Sequence, residues 1–378
     1  MGYHDRLQAD GPKKLLALDG GGIRGVLTLE ILAAVEDMVC TSSGNREAVL
    51  ADYFDYIAGT STGAIIAAGL SRGMPVSDIR AIYHEHGREM FDRAFILNRY
   101  RYMYHSDRLQ KLLQKTFGVH TTFGDERLQS LLMMVLRNAT TDSPWPLSNN
   151  PGATYNDARR PDCNLKFPLW QLVRASTAAP TYFPPELIRV GEHDFVFVDG
   201  GVTMYNNPAF QLFLMSTLGA YGLGWPTGED KMLLVSVGTG AAAKADDSLR
   251  PDEMNLLYNM KSIPAALMSA ALNEQDMLCR VFGRCRHGAM IDRELGDLID
   301  REPGVAERQP GLPGERKFTY VRYNADLSAA GLAELGLHDI RPDNVQKMDS
   351  VDYIEELQKI GQQVAQRDVA RDHFAGFL

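Results

Sequence analysis

The sequence predicts an α/β protein in which a mainly parallel sheet is flanked by helices. Two neighbouring segments carry this prediction, because each has the pattern of a buried strand, a glycine-rich turn and a helix. The first leads from "KKLLALDGG" at residue 13 into "VLTLEILAAVEDMV", and the second leads from "YFDYIAGTS" at residue 53 into "TGAIIAAGL". Two such units in succession favour parallel strands covered by helices.

The remaining elements follow at intervals along the chain. Apolar or alternating runs predict strands at "SLLMMVLRN", "HDFVFVDGG", "KMLLVSVGTG" and "RKFTYVRYN". Helical spacing predicts helices at "SDRLQKLLQKTFG", "FPLWQLVRASTAA", "IPAALMSAALNEQDMLCRVFG" and "SVDYIEELQKIGQQVAQRDVARDHF". The polar stretches 142–161 and 293–316 are interpreted as loops or insertions. We find no repeat, low-complexity tract or clear linker, so we predict one continuous domain with insertions.

The composition limits the classes of function. A chain of 378 residues with 45% hydrophobic residues is able to bury a large core. The net charge of −9 argues against a surface that coats nucleic acid and against bulk-charge adsorption to anionic membranes. The N-terminus lacks an apolar signal segment and no apolar run reaches the roughly 20 residues that span a bilayer, so we expect a cytoplasmic protein. The cysteines lack zinc-site or disulfide spacing and are interpreted as reduced thiols: Cys40, Cys163, Cys279 and Cys285.

The pattern G-x-S-x-G, which marks the nucleophile of many serine hydrolases, occurs twice. In "GTSTG" at 59–63, Ser61 lies between a predicted strand and a predicted helix, where N–H groups and the helix dipole favour developing negative charge. The second match places Ser71 at the other end of the same helix, where the dipole opposes an alkoxide. We interpret Ser71 as a capping or surface residue and Ser61 as the candidate nucleophile. A structural βα turn remains the alternative explanation of the first match.

A glycine-rich turn, "LALDGGGIRGVL", precedes the first long helix. Gly20, Gly22 and Gly25 match the dinucleotide-binding pattern, but the next strand ends without the acidic residue that binds a ribose. A P-loop is excluded because no Gly-Lys-Ser/Thr follows. The successive N–H groups of such a turn suit an anion, including the oxyanion of an acyl-transfer intermediate. Arg24 either adds charge there or forms a structural salt bridge.

Asp199 ends the alternating strand of "FVFVDGGVTMYNNP". Asp-Gly is a common hairpin signature, so a simple turn is one interpretation. A carboxylate at a strand end beside a serine is also able to accept the hydroxyl proton with no histidine between them. The residues of this segment alone leave both interpretations open.

Four motifs in order give the chain a resemblance to the patatin-like phospholipases. They are "DGGGIRG", "GTSTG", "ASTAAPTYFPP" at 175–185 and "VDGG" at 198–201. The resemblance is clearest over 13–208 and looser toward the C-terminus. It implies a patatin-like three-layer fold with a mainly parallel central sheet. We predict a catalytic domain over 13–325 and a C-terminal helical extension over 326–378 that packs on the same domain.

The resemblance also implies a function, namely hydrolysis of acyl esters of glycerophospholipids or related glycerolipids through a Ser–Asp dyad. By motif, Ser61 is the nucleophile and Asp199 the base, and neither a metal nor a cofactor is required. The expected partners are the lipid substrate and, transiently, the membrane surface, with no nucleic acid. "ASTAAPTYFPP" is implied to border the active site and is given no chemical role. The implied oxyanion hole comprises Gly20, Gly21, Gly22 and Arg24, and the motif-supporting glycines are Gly59, Gly63, Gly25, Gly200 and Gly201.

Two other functions remain open. An esterase of the α/β-hydrolase fold would need a late histidine for a Ser-His-Asp triad, and His287, His338 and His373 are available. That fold, however, normally places its nucleophile after several strands. A nucleotide-binding or nucleotide-activated effector would use "GGGIRG" for phosphate, with a nucleotide as activator.

A basic and aromatic segment, "MFDRAFILNRYRYMYHSDRLQKLLQK", has two interpretations. The first is a surface that binds lipid headgroups or a phosphate-bearing regulator. The second is a helical insertion with a solvated basic face. Its basic residues are Arg93, Arg99, Arg101, Arg108, Lys111 and Lys115.

Overall fold

A mixed, mainly parallel sheet forms the centre of the computed structural model, which describes residues 2–91, 108–180, 182–241, 250, 256–299 and 314–378. Within these residues the sheet has nine strands: β1 (Lys13–Leu18), β2 (Tyr56–Thr60), β3 (Leu131–Asn138), β4 (Ser143–Ser148), β5 (Glu186–Val190), β6 (His193–Asp199), β7 (Met232–Val237), β8 (Arg284–His287) and β9 (Thr319–Tyr323). The order is β5-β6-β3-β2-β1-β7-β9-β8, and β4 pairs with β3. The pairs from β3 through β8 are parallel, whereas β4, β5 and β6 pair antiparallel. The predicted fold class is confirmed.

Helices flank this sheet. They are α1 (Tyr3–Gln8), α2 (Gly25–Ser43), α3 (Leu50–Tyr53), α4 (Thr62–Ser71), α5 (Val76–Phe91), α6 (Arg108–Phe117), α7 (Leu169–Ser176), α8 (Ala209–Thr217), α9 (Leu256–Phe282), α10 (Ala329–Glu334), α11 (Pro342–Val345) and α12 (Ile354–Asp368). Every residue of β2, β7 and β9 is buried, which explains why β2 and β7 are mainly apolar rather than alternating, whereas β9 includes the buried Arg322. In the part of the chain that the structure describes, no helix has both the length and the hydropathy to cross a membrane.

Strand β3 determines where the ends of β2 and β6 meet. Along one edge, residues 133–138 pair antiparallel with β4. Along the other edge, β2 pairs in parallel with 131–135 and β6 pairs antiparallel with 136–138. Thr60, the last residue of β2, and Asp199, the last residue of β6, therefore lie opposite consecutive residues of β3. Two strands that run toward each other along one edge thus bring the residue after Thr60 next to Asp199.

The interpretation of 142–161 as a loop is wrong for its first part, because that part contains β4. Pro144 and Pro146 disguise the strand, since proline has no N–H to donate to a sheet. The strand tolerates them because it pairs only with β3 and lies at an edge. The predicted C-terminal helix is also interrupted, because α12 ends at Asp368 and a short 3-10 helix follows over Arg371–Phe374.

The C-terminal segment packs on α2. An added Cβ at Gly361 would lie 2.8 Å from the Cβ of Glu30, so α12 and α2 approach closely. Gln358 and Gln362 donate hydrogen bonds of 3.0 and 3.2 Å to the buried Glu30 carboxylate. The division into 13–325 and 326–378 stays a prediction. Arg93, Arg99 and Arg101 of the basic segment lie outside the described residues.

Candidate active site

Ser61 lies in a sharp turn between β2 and α4. Its φ of +55° and ψ of −123° are unusual for a residue with a side chain. Ser61 is the N-cap residue of α4 and is half-buried, so its hydroxyl lies at the positive end of the helix dipole. The turn is tight, because an added Cβ at Gly59 would collide with the carbonyl of Gly63. The strand, turn and helix that the sequence predicts around Ser61 are confirmed.

A direct hydrogen bond joins Ser61 to Asp199. The Ser61 hydroxyl donates to Oδ2 of Asp199 at 2.6 Å. The other carboxylate oxygen, Oδ1, accepts the backbone N–H of Gly201 at 2.6 Å. Asp199 does not begin a hairpin, since Gly200–Val202 forms a 3-10 turn with Asp199 as its cap. Both oxygens of the carboxylate are therefore used to hold it against the serine.

Burial sets the proton affinity of Asp199. The side chain is buried, and loss of solvation raises its pKa to about 6, although the hydrogen bonds from Ser61 and Gly201 act in the opposite direction. A carboxylate of this kind is ionised at neutral pH and binds a proton more readily than an exposed aspartate. That proton affinity suits a general base.

The glycine-rich turn uses most of its backbone N–H groups in fixing its own position. Gly21 and Gly22 are different, because within the described part of the chain their amides have no hydrogen-bond acceptor. The engaged amides and the carbonyls that accept from them are Asp19 with Val237 (3.1 Å), Gly20 with Asn206 (3.1 Å), Ile23 with Met348 (3.0 Å) and Arg24 with Gly21 (3.3 Å). The inclusion of the Gly20 amide among the oxyanion donors is therefore corrected, whereas Gly21 and Gly22 remain candidates.

The two glycine-containing turns adjoin each other. An added Cβ at Gly20 would lie 3.2 Å from the Cβ of Ser61. One at Gly25, the first residue of α2, would lie 2.6 Å from the hydroxyl oxygen of Thr62, the first residue of α4. The N-termini of α2 and α4 are consequently in contact next to Ser61. Both favour negative charge at that point.

The Arg24 side chain contacts the glycine-rich turn at the carbonyl group of Gly21. Its Nε lies 3.4 Å from the carbonyl oxygen of Gly21, and its Nη1 donates to the carbonyl of Gln346 at 3.3 Å. The Gly21 carbonyl and the Gly22 N–H belong to one peptide plane. Arg24 thus orients and polarises the peptide that carries one of the two open amides, and no salt bridge is needed to explain its presence.

Comparison with known proteins gives the family of this chain. A model of the patatin-like phospholipase family matches residues 16–213, just over half of the chain. The chain belongs to the patatin-like phospholipase family. It is 32% identical to a cGAMP-activated phospholipase of Escherichia coli (strain TW11681), over 53% of this chain and 55% of that protein. It is 31% identical to an intracellular phospholipase A2 of Caenorhabditis elegans, over 66% of this chain and 22% of that protein.

The alignment therefore spans about half the length of the bacterial relative and about a fifth of the nematode one. Among solved structures, VipD from Legionella pneumophila is similar with a TM-score of 0.39 and 13% identity, over 95% of this chain and 67% of that chain.

The segment 175–185 of this patatin-like chain holds both candidate catalytic residues by their backbones. Ser176, at the end of α7, accepts the N–H of Ser61 at 3.0 Å and donates to the carbonyl of Val135 at 2.7 Å. The carbonyl of Ala178 accepts the N–H of Asp199 at 3.0 Å. The resemblance implied that this segment borders the active site, but sequence reasoning gave it no chemical role. The signal available in the sequence was Ser176, a serine at the end of a predicted helix in a segment that accompanies the other motifs.

Ser71 and the three late histidines lie elsewhere. Ser71 is buried rather than at the surface, and its hydroxyl accepts from that of Ser130 at 3.0 Å. His287 and His373 stack at 4.6 Å, and burial lowers the pKa of both, that of His373 to about 4. His338 is exposed. No histidine of the described residues bonds Ser61 or Asp199, and no group of three or more potential metal ligands occurs among them.

Proposed function

We propose that this chain hydrolyses acyl ester bonds of glycerophospholipids or related glycerolipids, with Ser61 as nucleophile and Asp199 as general base. The observation that carries the proposal is the 2.6 Å hydrogen bond between the two side chains. It lies at the N-terminus of α4, and the glycine turn that carries the two open amides adjoins Ser61 at Gly20. Family membership supports an acyl ester of a lipid as the substrate class.

The chemistry has two stages. In the first, Asp199 accepts the Ser61 proton while Oγ bonds to the ester carbonyl carbon, and the carbonyl electron pair moves onto its oxygen. The amides of Gly21 and Gly22 stabilise that oxyanion. The intermediate collapses to an acyl-serine, and the departing alcohol takes the proton from Asp199. In the second stage water attacks in the same way, Asp199 accepts and returns the proton, and a fatty acid leaves while Ser61 regains its hydroxyl.

The test compares the two serines of the repeated pattern. Purified wild type, Ser61→Ala and Ser71→Ala are incubated with a mixed glycerolipid pool, and fatty acid and lysolipid are measured by mass spectrometry. We expect no products from Ser61→Ala. Ser71→Ala should form products at close to the wild-type rate, because it loses only a structural hydrogen bond worth about 1 kcal/mol. Wild-type turnover by a homogeneous Ser61→Ala preparation would overturn the assignment.

We further propose peripheral contact with the membrane through the surface beside Asp199. Segments 175–185 and 200–208, which include the residues that hold the dyad, contain no Asp, Glu, Lys or Arg. Val202 and Met204 in the second segment are 40% and 45% exposed. An uncharged surface with exposed apolar side chains next to the nucleophile suits the neutral interface of a zwitterionic bilayer, which the net charge of −9 does not repel.

A matched pair of methionines tests this surface. Met290 is 65% exposed and follows β8, at the opposite edge of the sheet from β6. In a Ser61→Ala background, Met204→Lys and Met290→Lys are sedimented with phosphatidylcholine vesicles. We expect Met204→Lys to lower the bound fraction severalfold, because an ammonium group resists burial at the interface, and Met290→Lys to bind like its parent. Equal binding of both variants would refute this surface.

Activation by a cyclic dinucleotide is the second candidate, because the bacterial relative carries this property in its name. The test is the rate of lipid hydrolysis with and without cGAMP. An increase of about tenfold or more would support it, and an unchanged rate would exclude cGAMP as the activator.

A further inference from the structure

We propose that Arg322 is a positioning residue for the proposed reaction: through Asp19 it fixes the glycine turn that presents the amides of Gly21 and Gly22. The inference rests on the proposed function of that turn as an oxyanion hole. Arg322 lies on β9, two strands from β1, and beyond the residues 16–213 that the family model matches.

Arg322 holds Asp19 with both arms of its guanidinium. Nη1 donates to Oδ1 of Asp19 at 2.9 Å and Nη2 donates to Oδ2 at 2.5 Å. Nη1 also donates to the hydroxyl of Ser236, which lies beside Arg322 in the register of β7 and β9, at 2.7 Å. The Arg322 side chain is only 3% exposed and Asp19 is fully buried. The pair therefore reaches across β7 and ties β9 to the end of β1.

Such a pair is an expensive way to stabilise a fold. Burying two charges costs solvation free energy, and their mutual attraction offsets this cost only when the geometry is good. Apolar residues of similar volume often stabilise a fold equally well. A planar fork, however, fixes the orientation of a carboxylate in a way that apolar packing does not. The location of the pair indicates what this orientation is for, because Asp19 immediately precedes Gly20.

Three consecutive glycines have no side chains by which the protein can anchor them. The turn is therefore held by contacts of its own backbone and by neighbouring side chains. The Asp19 side chain holds its start, and the Gly20 carbonyl accepts the hydroxyl of Thr239 at 2.9 Å, in addition to the backbone and Arg24 contacts described above. Displacement of catalytic groups by about 1 Å can cost roughly 100-fold in rate. Loosening Asp19 should displace the open amides of Gly21 and Gly22 from the oxyanion while leaving the Ser61–Asp199 contact in place.

Arg280 supplies the matched control. It is as deeply buried as Arg322 and binds Asp276 with a similar fork, at 3.0 and 2.7 Å, on α9. Neither Arg280 nor Asp276 hydrogen-bonds the glycine turn. Lysine at either position keeps the charge but loses the fork. Both variants should lower the free energy of unfolding, and only Arg322→Lys should slow the chemistry.

The experiment measures kcat and KM on a short soluble ester and the rate of inactivation by a fluorophosphonate, well below the unfolding temperature. We expect Arg322→Lys to lower kcat and the inactivation rate about 10- to 100-fold with little change in KM, consistent with weaker oxyanion stabilisation. Arg280→Lys should stay within about twofold of wild type. An equal loss of kcat in Arg322→Lys and Arg280→Lys, or a folded Arg322→Lys with wild-type kcat, would overturn the proposal.

Ser236→Ala is the second test if Arg322→Lys does not fold. It removes the hydroxyl that accepts from Nη1 of Arg322, together with the 3.4 Å hydrogen bond that this hydroxyl donates to Oδ1 of Asn207. A severalfold loss of kcat at unchanged KM supports the proposal, and an unchanged kcat overturns it. These outcomes are separate from failure of the proposed function, which would appear as hydrolysis by Ser61→Ala.

Discussion

Replacing Asp199 with asparagine should stabilise the protein while it slows the chemistry. The carboxylate is buried, and burial raises its pKa from an ordinary value of 3.8 to about 6. Between these two pH values the folded chain holds a proton at this site that the unfolded chain has lost. The free energy of unfolding therefore falls as pH rises from about 4 to 6, and the full cost of the buried charge is present above pH 6.

The magnitude follows from the size of the shift. Two pKa units correspond to about 3 kcal/mol. This shift already includes the hydrogen bonds of the carboxylate with Ser61 and Gly201. Asparagine keeps the shape but has one acceptor oxygen where the carboxylate has two, and this poorer match to its two donors offsets about 1 to 2 kcal/mol. We expect a net gain of about 1 to 2 kcal/mol in the free energy of unfolding at pH 8, and a smaller gain at pH 5. Turnover should fall about 100- to 10,000-fold, because the amide cannot accept the serine proton.

Urea denaturation at pH 8 and at pH 5, followed by circular dichroism, measures the stability difference. Asp194→Asn is the control, since Asp194 lies on the same strand but is exposed, and it should change the free energy of unfolding by less than about 0.5 kcal/mol. An Asp199→Asn protein that is less stable than wild type at pH 8, or that retains turnover, would refute the reasoning.

Three other perturbations have clear expected outcomes. Gly22→Ala should lower kcat about 100-fold or more, because Gly22 has a φ of +62° and a Cβ there would collide with the carbonyl of Met348. Gly44→Ala is the control: Gly44 has a φ of +68° but lies in open space, so this variant should lose stability and keep kcat. Substituting His287, His338 or His373 singly by Gln should leave kcat within about threefold, and a folded variant without turnover would favour a triad. Hydrolysis of short p-nitrophenyl esters should survive EDTA, and a loss reversed only by a divalent ion would show that a metal takes part.

The parts of the site that depend on local pattern were predicted from the sequence. The position of Ser61 between a strand and a helix follows from apolar spacing and two glycines within a few residues. The glycine turn before α2 is equally local. Asp199 is different, because Asp-Gly alone is typical of a hairpin and only the resemblance to a family gave it a role. The structure supplies the physical reason, since the pairing of β2 and β6 along one edge of β3 is a long-range property.

Long-range contacts also explain what sequence reasoning missed. The Gly20 amide is engaged because the carbonyl of Asn206 lies opposite it, and Ser71 is buried because Ser130 packs on the end of α4. Ser176 and Arg322 act on the site from other elements, so no local pattern marks them. The β4 strand was missed because its two prolines are typical of loops.

The most direct test of the central claim is to identify the residue that a fluorophosphonate modifies and the rate at which it does so. Wild type, Ser61→Ala and Asp199→Asn are treated with the reagent, and the labelled peptide is mapped by mass spectrometry. We expect a single adduct on Ser61, no adduct on Ser61→Ala, and labelling of Asp199→Asn slowed about 100-fold or more, because the serine then lacks its base. An adduct on a different serine, with ester hydrolysis retained in Ser61→Ala, would contradict the account.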